Sequence, residues 1–475
     1  MLNYFFFLFS LMFFLFKYIS IHKNFSYLSF NLLFIYFFPK SSLIIYILTY
    51  LYKKFNYITI FKRNLWKKFV GLTNKKKYKL INLKNKNCNK IFKFCEFSQM
   101  NKSYSCKSKL FSNTTKIINS IIKDIKSSNK NIYMTFYIFQ VEGKTLNLVK
   151  ELIKASKRGV SCKIILDHIG CWNFFNSKYF NYLKKVGVKI VKAMRINSIF
   201  NRIDIRQHRK MILIDNKIAY VGSMNIIDPT FFKRNKKIGK WTDIMLKVKG
   251  PIVLYLNFIF YYDWAVETES TKIVNKIKFL NFKKNYYKKN SPKNIIQSVV
   301  SGNNLEKNFM HELLLLSIYS AKRRLVIITP YFVPSSELLN AICNVSKSGI
   351  KVIIIVPIKN DFILIEWISK PLFEALLKSG VSIYRYKKGL LHTKSIIIDE
   401  NISFIGTINF DCRSIKINLE ITLIIDDKKF NKKLTKISEN YIKFSEEENI
   451  KNYLNKSSFI KILEKLLFCL FNYIL

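Results

Sequence analysis

From about residue 112 onward, short apolar runs alternate with longer segments whose apolar residues recur every three or four positions. Residues 131–139 and 163–167 have the length and the β-branched and aromatic content of buried strands, and residues 145–158 have the spacing of an amphipathic helix. Strands that alternate with helices are typical of α/β domains. This part of the chain is therefore predicted to be α/β.

The chain then repeats this pattern. Residues 131–139 correspond to residues 324–332, and in both places a helix, a glycine and a second strand follow. The glycines are Gly159 and Gly349, 190 residues apart (349 − 159), and the next pair is 193 residues apart (380 − 187). Two copies of this length are too long for a solenoid unit. They predict a duplicated domain with a pseudo-twofold axis and a shared active site.

Two apolar blocks open the chain. The first covers residues 2–16 and continues to residue 21, and the second covers residues 28–52 with an interruption at Pro39-Lys40. No small-residue cleavage site follows the first block, so the pattern predicts a membrane hairpin of one or two transmembrane helices rather than a signal peptide. A re-entrant or interfacial segment is the alternative for the second block. Basic residues follow at once, which places the rest of the chain in the cytoplasm.

The pattern divides the chain into five parts. These are a membrane-anchoring segment over 1–54, a basic, poorly periodic linker over 55–111, a first domain over 112–290, a second domain over 291–450, and a C-terminal segment over 451–475. The last segment is apolar but too short and too charged to span a bilayer, so we expect an interfacial helix or a core helix.

Composition excludes several classes of protein. The chain has 475 residues, of which 49% are hydrophobic, with Phe 42 and Tyr 27 against Gly 13 and Pro 8. This is not a disordered, collagen-like or small disulfide-rich protein. Lys+Arg 81 against Asp+Glu 29 gives a net charge of +52, as in a nucleic-acid binder or a protein of anionic membranes. Lys, Asn, Ile, Phe and Tyr are all in excess together, which indicates compositional drift and weakens net charge as a functional signal.

The eight cysteines form no Cys-x-x-Cys pair. His168 precedes Cys171 by three positions, but no second pair of ligands accompanies them, so neither a zinc site nor another metal or cofactor is predicted. Reduced thiols are expected, and a disulfide among Cys88, Cys95 and Cys106 remains the alternative.

Both halves end in the same motif, and two of the five histidines of the chain head its two copies. The first copy contains His208, Lys210, Asp215, Ser223 and Asn225. The second copy contains His392, Lys394, Asp399, Thr407 and Asn409. Repetition of these positions at identical spacing favours a functional site over chance.

Each motif is predicted to form a β-hairpin. A turn signal at 215–216 separates two apolar runs, and His208 and Lys210, two positions apart, share one face of their strand. A two-residue turn places Ser223 opposite His208. The corresponding pair in the second half is Thr407 and His392.

Two such hairpins bring two imidazoles, two ammonium groups and two amides to one point. This set suits a phosphodiester, because lysine and asparagine donors stabilise phosphoryl oxygens without a metal. One histidine can attack phosphorus while the other protonates the leaving alcohol and then activates the acceptor. Asp215 and Asp399 are retained as motif members, in a supporting role, because an aspartate at a turn more often binds the backbone.

These paired His-x-Lys-x4-Asp motifs resemble the phospholipase D superfamily. The flanking runs that begin at Asp204, Val221, Gly239, Thr329 and Gly389 resemble those of the bacterial cardiolipin synthases. The resemblance covers about residues 112–450. Departures are the broken second apolar block and Ser301-Gly302-Asn303, where a proline is expected in place of the asparagine.

The resemblance implies transfer of a phosphatidyl group between two phosphatidylglycerol molecules, giving cardiolipin and glycerol. It implies that His208 is the nucleophile, that His392 is the general acid and then the base, and that Asp243 and Glu420 orient the imidazoles. It also implies a multi-pass protein of the bacterial inner membrane with a cytoplasmic catalytic region.

Two other functions remain open. A hydrolase of the same superfamily would pass the phosphatidyl group to water and release phosphatidic acid. A catalytically inactive, basic membrane-surface or nucleic-acid binder is the other alternative. The expected partners are phosphatidylglycerol and an anionic membrane, not nucleic acid, and the oligomeric state is open.

Overall fold

The structure is a computed structural model that describes residues 64–66, 86–99, 101–195, 204–232, 239–270, 294–302, 308–454, 457 and 463–464. The predicted membrane hairpin over 1–54 lies outside these ranges, as does most of the C-terminal segment over 451–475. No helix in the described ranges combines the length and the apolar character that a membrane span requires.

Strands and helices alternate through the first half. The strands are β1 Tyr104–Phe111, β2 Asn131–Phe136, β3 Ser161–Asp167, β4 Lys189–Ala193, β5 Met211–Ile214, β6 Ile218–Gly222, β7 Trp241–Thr242 and β8 Met245–Lys249. The helices are α1 Lys86–Gln99, α2 Thr114–Lys126, α3 Lys144–Lys157, α4 Trp172–Phe175, α5 Lys178–Lys185 and α6 Ile252–Glu267.

The second half follows the same order. Its strands are β9 Asn294–Val300, β10 Arg324–Ile328, β11 Phe332–Val333, β12 Lys351–Pro357, β13 Ser382–Tyr386, β14 Leu390–Leu391, β15 Ser395–Ile398, β16 Ile402–Gly406, β17 Phe410–Asp411, β18 Ile421–Asp426 and β19 Ser445–Glu447. Its helices are α7 Phe309–Tyr319, α8 Ser336–Lys347, α9 Ile363–Lys378, α10 Cys412–Lys416, α11 Lys428–Lys443 and α12 Lys451–Leu454.

Local sequence explains how the helices begin and which face they bury. Asn113 precedes α2, and its side chain accepts a hydrogen bond from the backbone N of Lys116 at 3.0 Å. Ile117, Ile121 and Ile125 then recur every four residues and are buried on the face that packs on the sheet. In contrast, α6 is apolar all round and is almost entirely buried, as expected of a helix enclosed by its surroundings.

One 15-stranded sheet runs through both halves, in the order β4-β3-β2-β5-β6-β8-β1-β9-β18-β16-β15-β10-β12-β13-β19. Apart from β19, the order reads the same from either end once each strand is exchanged for its counterpart in the other half. Three strands of each half run parallel to one another: β2, β3 and β4 in the first half, and β10, β12 and β13 in the second. The next strand of the sheet, β5 or β15, runs antiparallel to them. The predicted α/β class and the duplication are confirmed.

The first half begins earlier than predicted, because part of the predicted linker is folded. β1 pairs with β8 and, through Tyr104 opposite Ile296, with β9 of the second half. Three polar residues in a row, 107–109, break the alternation expected of a strand, and only pairing with distant strands defines β1 as one. The predicted boundary at residue 112 is therefore too late. Cys95 and Cys106 are buried free thiols, so they form no disulfide with each other.

Both motif hairpins have turns one residue longer than predicted. Ile214 lies opposite Ile218, and Ile398 lies opposite Ile402 in the second half. Asp215 and Asn216 both adopt left-handed backbone angles, with φ of 53° and 55°, and Lys217 completes the turn. A register shift of one residue means that the predicted pairings of Ser223 with His208 and of Thr407 with His392 are wrong.

Short strands from the two halves pair where the motifs meet. β7 of the first half and β14 of the second are parallel, with Leu390 opposite Trp241. Gly389 immediately before β14 has φ +111°, and a Cβ atom there would lie 2.2 Å from the carbonyl oxygen of Lys240. Only glycine permits this approach between the halves.

We expect Gly389→Ala to lower the free energy of unfolding by about 3 kcal/mol, because the new methyl group meets backbone that has no room to move. Gly349 is the matched control, since it has φ +89° but nothing within 4 Å of its would-be Cβ. Gly349→Ala should cost only about 1 kcal/mol, from backbone strain alone. Chemical unfolding of the full-length variants measures both, and equal losses would contradict the close approach.

Candidate active site

The two motif histidines lie at the start of equivalent strands, where the two halves meet. His208 precedes β5, His392 precedes β15, and both side chains are buried. The backbone N of His208 donates to the carbonyl oxygen of Leu419 at 3.0 Å, and the backbone N of His392 donates to the carbonyl oxygen of Thr242 at 2.9 Å. Each histidine is therefore anchored to the backbone of the opposite half.

The residue after each of these carbonyls is a carboxylate that binds the same histidine. Nδ1 of His208 lies 2.7 Å from Oε1 of Glu420, and Nδ1 of His392 lies 2.7 Å from Oδ1 of Asp243. All four side chains are buried. Each half thus supplies the carboxylate that binds the histidine of the other half. Because this contact uses Nδ1, the Nε2 atom of each imidazole is the one that can react.

The motif hydroxyl groups bind these carboxylates. Ser223 Oγ donates to Asp243 Oδ1 at 2.7 Å and accepts from the backbone N of Ile244. Thr407 Oγ1 donates to Glu420 Oε2 and accepts from the backbone N of Ile421. Within each half, the hydroxyl thus orients the carboxylate that reaches across to the other half.

The two motif lysines are buried and bind their own motifs. Lys210 Nζ donates to the carbonyl oxygen of His208 and Lys394 Nζ to that of His392, each at 2.9 Å. Burial lowers the pKa of Lys210 to about 7 and that of Lys394 to about 8. A bound anion would favour their charged forms, so this part of the site is suited to a phosphoryl group.

The two motif asparagines have different surroundings. Asn225 Oδ1 accepts from the backbone N of Ile138 at 3.1 Å, which leaves its NH₂ group as the donor end. Asn409 is buried and hydrogen-bonds Asp411, whose pKa is raised by burial to about 6.

The two histidine–carboxylate pairs differ electrostatically. Burial raises the pKa of Glu420 to about 8, although the charge of Lys210 opposes this. Burial also acts to raise the pKa of Asp243, but His392, Lys394 and Ser223 outweigh it and hold that pKa below its ordinary value. Asp243 is therefore the ionised partner near neutral pH.

Both imidazoles are neutral near neutral pH. Burial, followed by the charges of Lys210 and Lys394, holds the pKa of His208 well below its ordinary value. Burial and then Lys394 lower the pKa of His392 to about 4, against the opposing effect of Asp243. The aromatic neighbours also differ, because Tyr137 lies 5.1 Å from His208 and Trp241 lies 4.3 Å from His392 between ring centroids.

Asp215 and Asp399, predicted as motif members with a supporting role, bind backbone N–H groups away from the two histidines. The Asp215 carboxylate accepts from the backbone N atoms of three successive residues, 129–131, and Asp399 accepts from those of 322–324. Asp215 lies five positions along the extended chain from Lys210, about 16 Å. The aspartates fasten the hairpin turns to the starts of β2 and β10, which agrees with the supporting role expected at a turn.

Sequence reasoning missed two buried contributors to the site. Asp167, at the end of β3, accepts from the backbone N of Gln207 at 2.9 Å and lies 3.4 Å from Arg206 Nη1. Arg209 forms a buried ion pair with Asp263 of α6 and donates to the backbone of the second half. The usable signal for Asp167 was its position directly after a buried parallel strand. Arg209 lies within the first motif, but the spacing of residues in the sequence does not indicate that Asp263 is its partner.

A family model described as the cardiolipin synthase phospholipase D-like domain matches residues 121–253 and 314–442. The chain is 42% identical over 384 residues to cardiolipin synthase A of Buchnera aphidicola subsp. Acyrthosiphon pisum (strain APS), covering 80% of this chain and 78% of that protein. It is 42% identical over 387 residues to cardiolipin synthase A of Wigglesworthia glossinidia brevipalpis, covering 79% and 76%. Against cardiolipin synthase A of Pectobacterium carotovorum subsp. carotovorum (strain PC1), identity is 40% over 359 residues, covering 74% and 72%.

Among solved structures, the chain is similar to phosphatidylserine synthase of Haemophilus influenzae Rd KW20. The TM-score is 0.59 at 16% sequence identity, covering 82% of this chain and 100% of that chain. At this identity the likeness supports the duplicated fold alone.

We expect Asp215→Asn and Asp399→Asn each to lower the free energy of unfolding by about 2 kcal/mol, because an amide cannot accept the three backbone N–H bonds as a carboxylate does. Turnover per folded molecule should stay within about twofold, since neither side chain touches the reacting groups. Chemical unfolding and activity are measured on the same preparations. The control is Glu400→Gln, an exposed neighbour in the second turn that should leave unfolding unchanged. Intact stability with lost turnover would restore a catalytic role for the aspartates.

Proposed function

This chain belongs to the cardiolipin synthase family of phospholipase D-like proteins, and we propose that it transfers a phosphatidyl group from one phosphatidylglycerol to another, giving cardiolipin and glycerol. The observation that carries this proposal is the pair of buried histidines, each bound through Nδ1 to a carboxylate of the opposite half. Two oriented imidazoles, each with a lysine of its own motif beside it, can cleave one phosphodiester and form another.

His208 is the nucleophile in this mechanism. Its imidazole is neutral, and in this scheme the charge of Lys210 favours the ionised form of Glu420, which accepts Nδ1–H. Nε2 then presents its lone pair. Attack on phosphorus forms the P–N bond as the P–O bond to the glycerol headgroup breaks. The product of this half-reaction is phosphatidyl-His208.

His392 is the acid and then the base. His392 is neutral until substrate binds, because its pKa lies at about 4. The ionised Asp243 and the phosphoryl oxygens of the bound substrate raise this pKa, so His392 takes up a proton from water with the substrate and enters the reaction as the imidazolium. His392 donates its proton to the departing glycerol oxygen. It then takes the proton of a headgroup hydroxyl on the second phosphatidylglycerol as that oxygen attacks phosphorus and the P–N bond breaks. Both histidines return to their starting states.

Lys210 and Lys394 stabilise the charge that develops on the phosphoryl oxygens. Both are buried and both charges act on His208, and an ammonium group is worth more in such surroundings than in water. The NH₂ groups of Asn225 and Asn409 are further donors in this scheme. Ser223 and Thr407 act indirectly, by holding Asp243 and Glu420.

Hydrolysis is the second candidate, because it uses the same first half-reaction with water as acceptor and releases phosphatidic acid. The relatives at about 40% identity are cardiolipin synthases, which favours the lipid acceptor. An inactive basic binder is disfavoured because both histidines, both lysines and both orienting carboxylates are present and in contact.

The lipid substrates place the enzyme at an anionic membrane, which we propose to be the bacterial inner membrane. The apolar blocks within residues 1–54 would supply one or two transmembrane helices, with the catalytic region on the cytoplasmic side. The net charge of +52 favours attraction to phosphatidylglycerol.

Full-length protein in phosphatidylglycerol vesicles should produce cardiolipin and glycerol in equal amounts, and His208→Ala and His392→Ala should each lose this activity by about a thousandfold or more. Chromatography follows cardiolipin, glycerol and phosphatidic acid together. Asp399→Asn serves as a control that alters the motif outside the reacting groups. Phosphatidic acid as the main product would make the enzyme a hydrolase, and vesicle binding without turnover would favour the binder.

A phosphatidyl ester of p-nitrophenol separates the roles of the two histidines, because nitrophenolate leaves without an acid. We expect His392→Ala to release one equivalent of nitrophenolate per site and then stall, since no base remains to activate the acceptor. His208→Ala should give no burst. Stopped-flow absorbance measures both, and the reverse pattern would make His392 the nucleophile.

A further inference from the structure

Five large apolar side chains are exposed in segments that adjoin the candidate active site. They are Ile169, Trp172, Phe231, Phe362 and Trp367, which we call the aromatic rim. Their relative exposure runs from 39% at Trp367 to 58% at Trp172. Single exposed apolar residues are ordinary, but five on one edge of a protein mark an interaction surface.

Strand pairing places the aromatic rim and the histidines on the same edge of the sheet. β5 begins at Met211, which lies opposite Thr135 near the end of β2, and the end of β2 lies beside the end of β3. The second half repeats this arrangement with β15, β10 and β12. Ile169 and Trp172 follow β3, and Phe362 and Trp367 follow β12, so the two halves contribute equivalent loops.

Contacts connect each rim loop to the catalytic groups. Asp167, two residues before Ile169, binds the backbone N of Gln207, next to His208. Asp361, next to Phe362, accepts from Tyr331 Oη at 2.7 Å, and its charge acts on Lys394.

The fifth rim residue connects to the other histidine. Phe231 adjoins Phe232, whose ring lies 4.9 Å from that of Trp241, and Trp241 in turn lies 4.3 Å from His392. Contacts therefore link the aromatic rim to residues beside both His208 and His392.

Basic side chains accompany the rim aromatics. Lys370 Nζ lies 4.8 Å from the ring of Trp367. Lys192 Nζ lies 4.7 Å from the ring of Phe175, close to the first rim loop, and Lys192 and Arg195 together act on His168. Aromatic rings with lysine and arginine are the residues that favour the boundary between lipid headgroups and acyl chains.

We propose that the aromatic rim docks the catalytic unit face-on against an anionic lipid bilayer, with Trp172, Phe231, Phe362 and Trp367 inserted among the headgroups. The proposal rests on the function proposed above, in that the substrates are bilayer lipids. Docking by this edge lets a headgroup phosphate reach the buried histidines while the acyl chains remain near the membrane. It is a contact additional to any anchor in residues 1–54.

Trp172 and Trp367 report on this contact directly. Full-length protein is reconstituted in phosphatidylglycerol/phosphatidylcholine vesicles, and its fluorescence is quenched either by brominated acyl chains or by aqueous iodide. The contributions of the two rim tryptophans are obtained by subtracting the spectra of Trp172→Phe and Trp367→Phe. We expect both to be quenched by the brominated lipid and protected from iodide. Trp264, buried in α6, is the internal control and should respond to neither reagent.

Two outcomes of this experiment would overturn the proposal. Quenching of both rim tryptophans by iodide, with none by brominated lipid, would mean that the edge faces water. Protection from iodide that persists in lipid-free detergent and rises with protein concentration would mean that a second copy of the chain covers the rim.

A rate comparison tests whether docking serves the reaction. The variant Trp172→Ser/Phe231→Ser/Trp367→Ser is compared with Tyr319→Ser, an equally exposed aromatic that lies just before β10, at the opposite edge of the sheet. We expect the triple variant to be about tenfold slower or more on vesicles and unchanged on short-chain phosphatidylglycerol dispersed below its micelle concentration. Tyr319→Ser should match the parent on both.

The outcomes distinguish docking from catalysis. Equal losses on vesicles and on dispersed lipid would make the rim structural and overturn the proposal. If the parent protein makes no cardiolipin from either substrate, the proposed function fails, and the tryptophan quenching still decides whether the rim docks on the bilayer.

Discussion

The active site depends on two crossed contacts, in which each imidazole is bound by a carboxylate of the opposite half: His208 by Glu420 and His392 by Asp243. Backbone hydrogen bonds beside both contacts fix the spacing, because each histidine N–H binds the carbonyl that precedes its carboxylate. Leaving one member of a buried pair without its partner costs about 3–5 kcal/mol. Neither half can therefore complete its own histidine, and assembly of the two halves and formation of the site are one event.

Burial sets the protonation states on which the reaction depends. Two lysines, two histidines and two carboxylates share a dry region, and their pKa values move away from those in water: Lys210 to about 7, Glu420 to about 8 and His392 to about 4. These shifts leave the site with less charge than its composition implies. A phosphodiester anion restores the charged forms of the cations around it, so substrate binding and activation of the site are coupled.

The symmetry of the fold is broken where the chemistry requires it. One carboxylate is an aspartate whose pKa is held low, and the other is a glutamate whose pKa is raised. Tyr137 lies against one imidazole and Trp241 against the other. A reaction that uses one histidine as nucleophile and the other as acid needs two different environments. The pseudo-twofold frame brings equivalent groups together, and these local differences give the two imidazoles different surroundings.

The sequence alone determined the α/β class, the duplication and the matched His, Lys, Ser/Thr and Asn positions, because periodicity and spacing are local properties of the chain. Tertiary structure decided the rest. The length of the motif turns and the anchoring of Asp215 depend on backbone groups far along the chain, and β1 is a strand only because distant strands pair with it. The same holds for the crossed pairs, whose members lie 149 and 212 residues apart. Asp243 and Glu420 could be recognised as candidates from resemblance, but which histidine each one binds follows only from the way the two halves pack, since no local pattern encodes a contact between them.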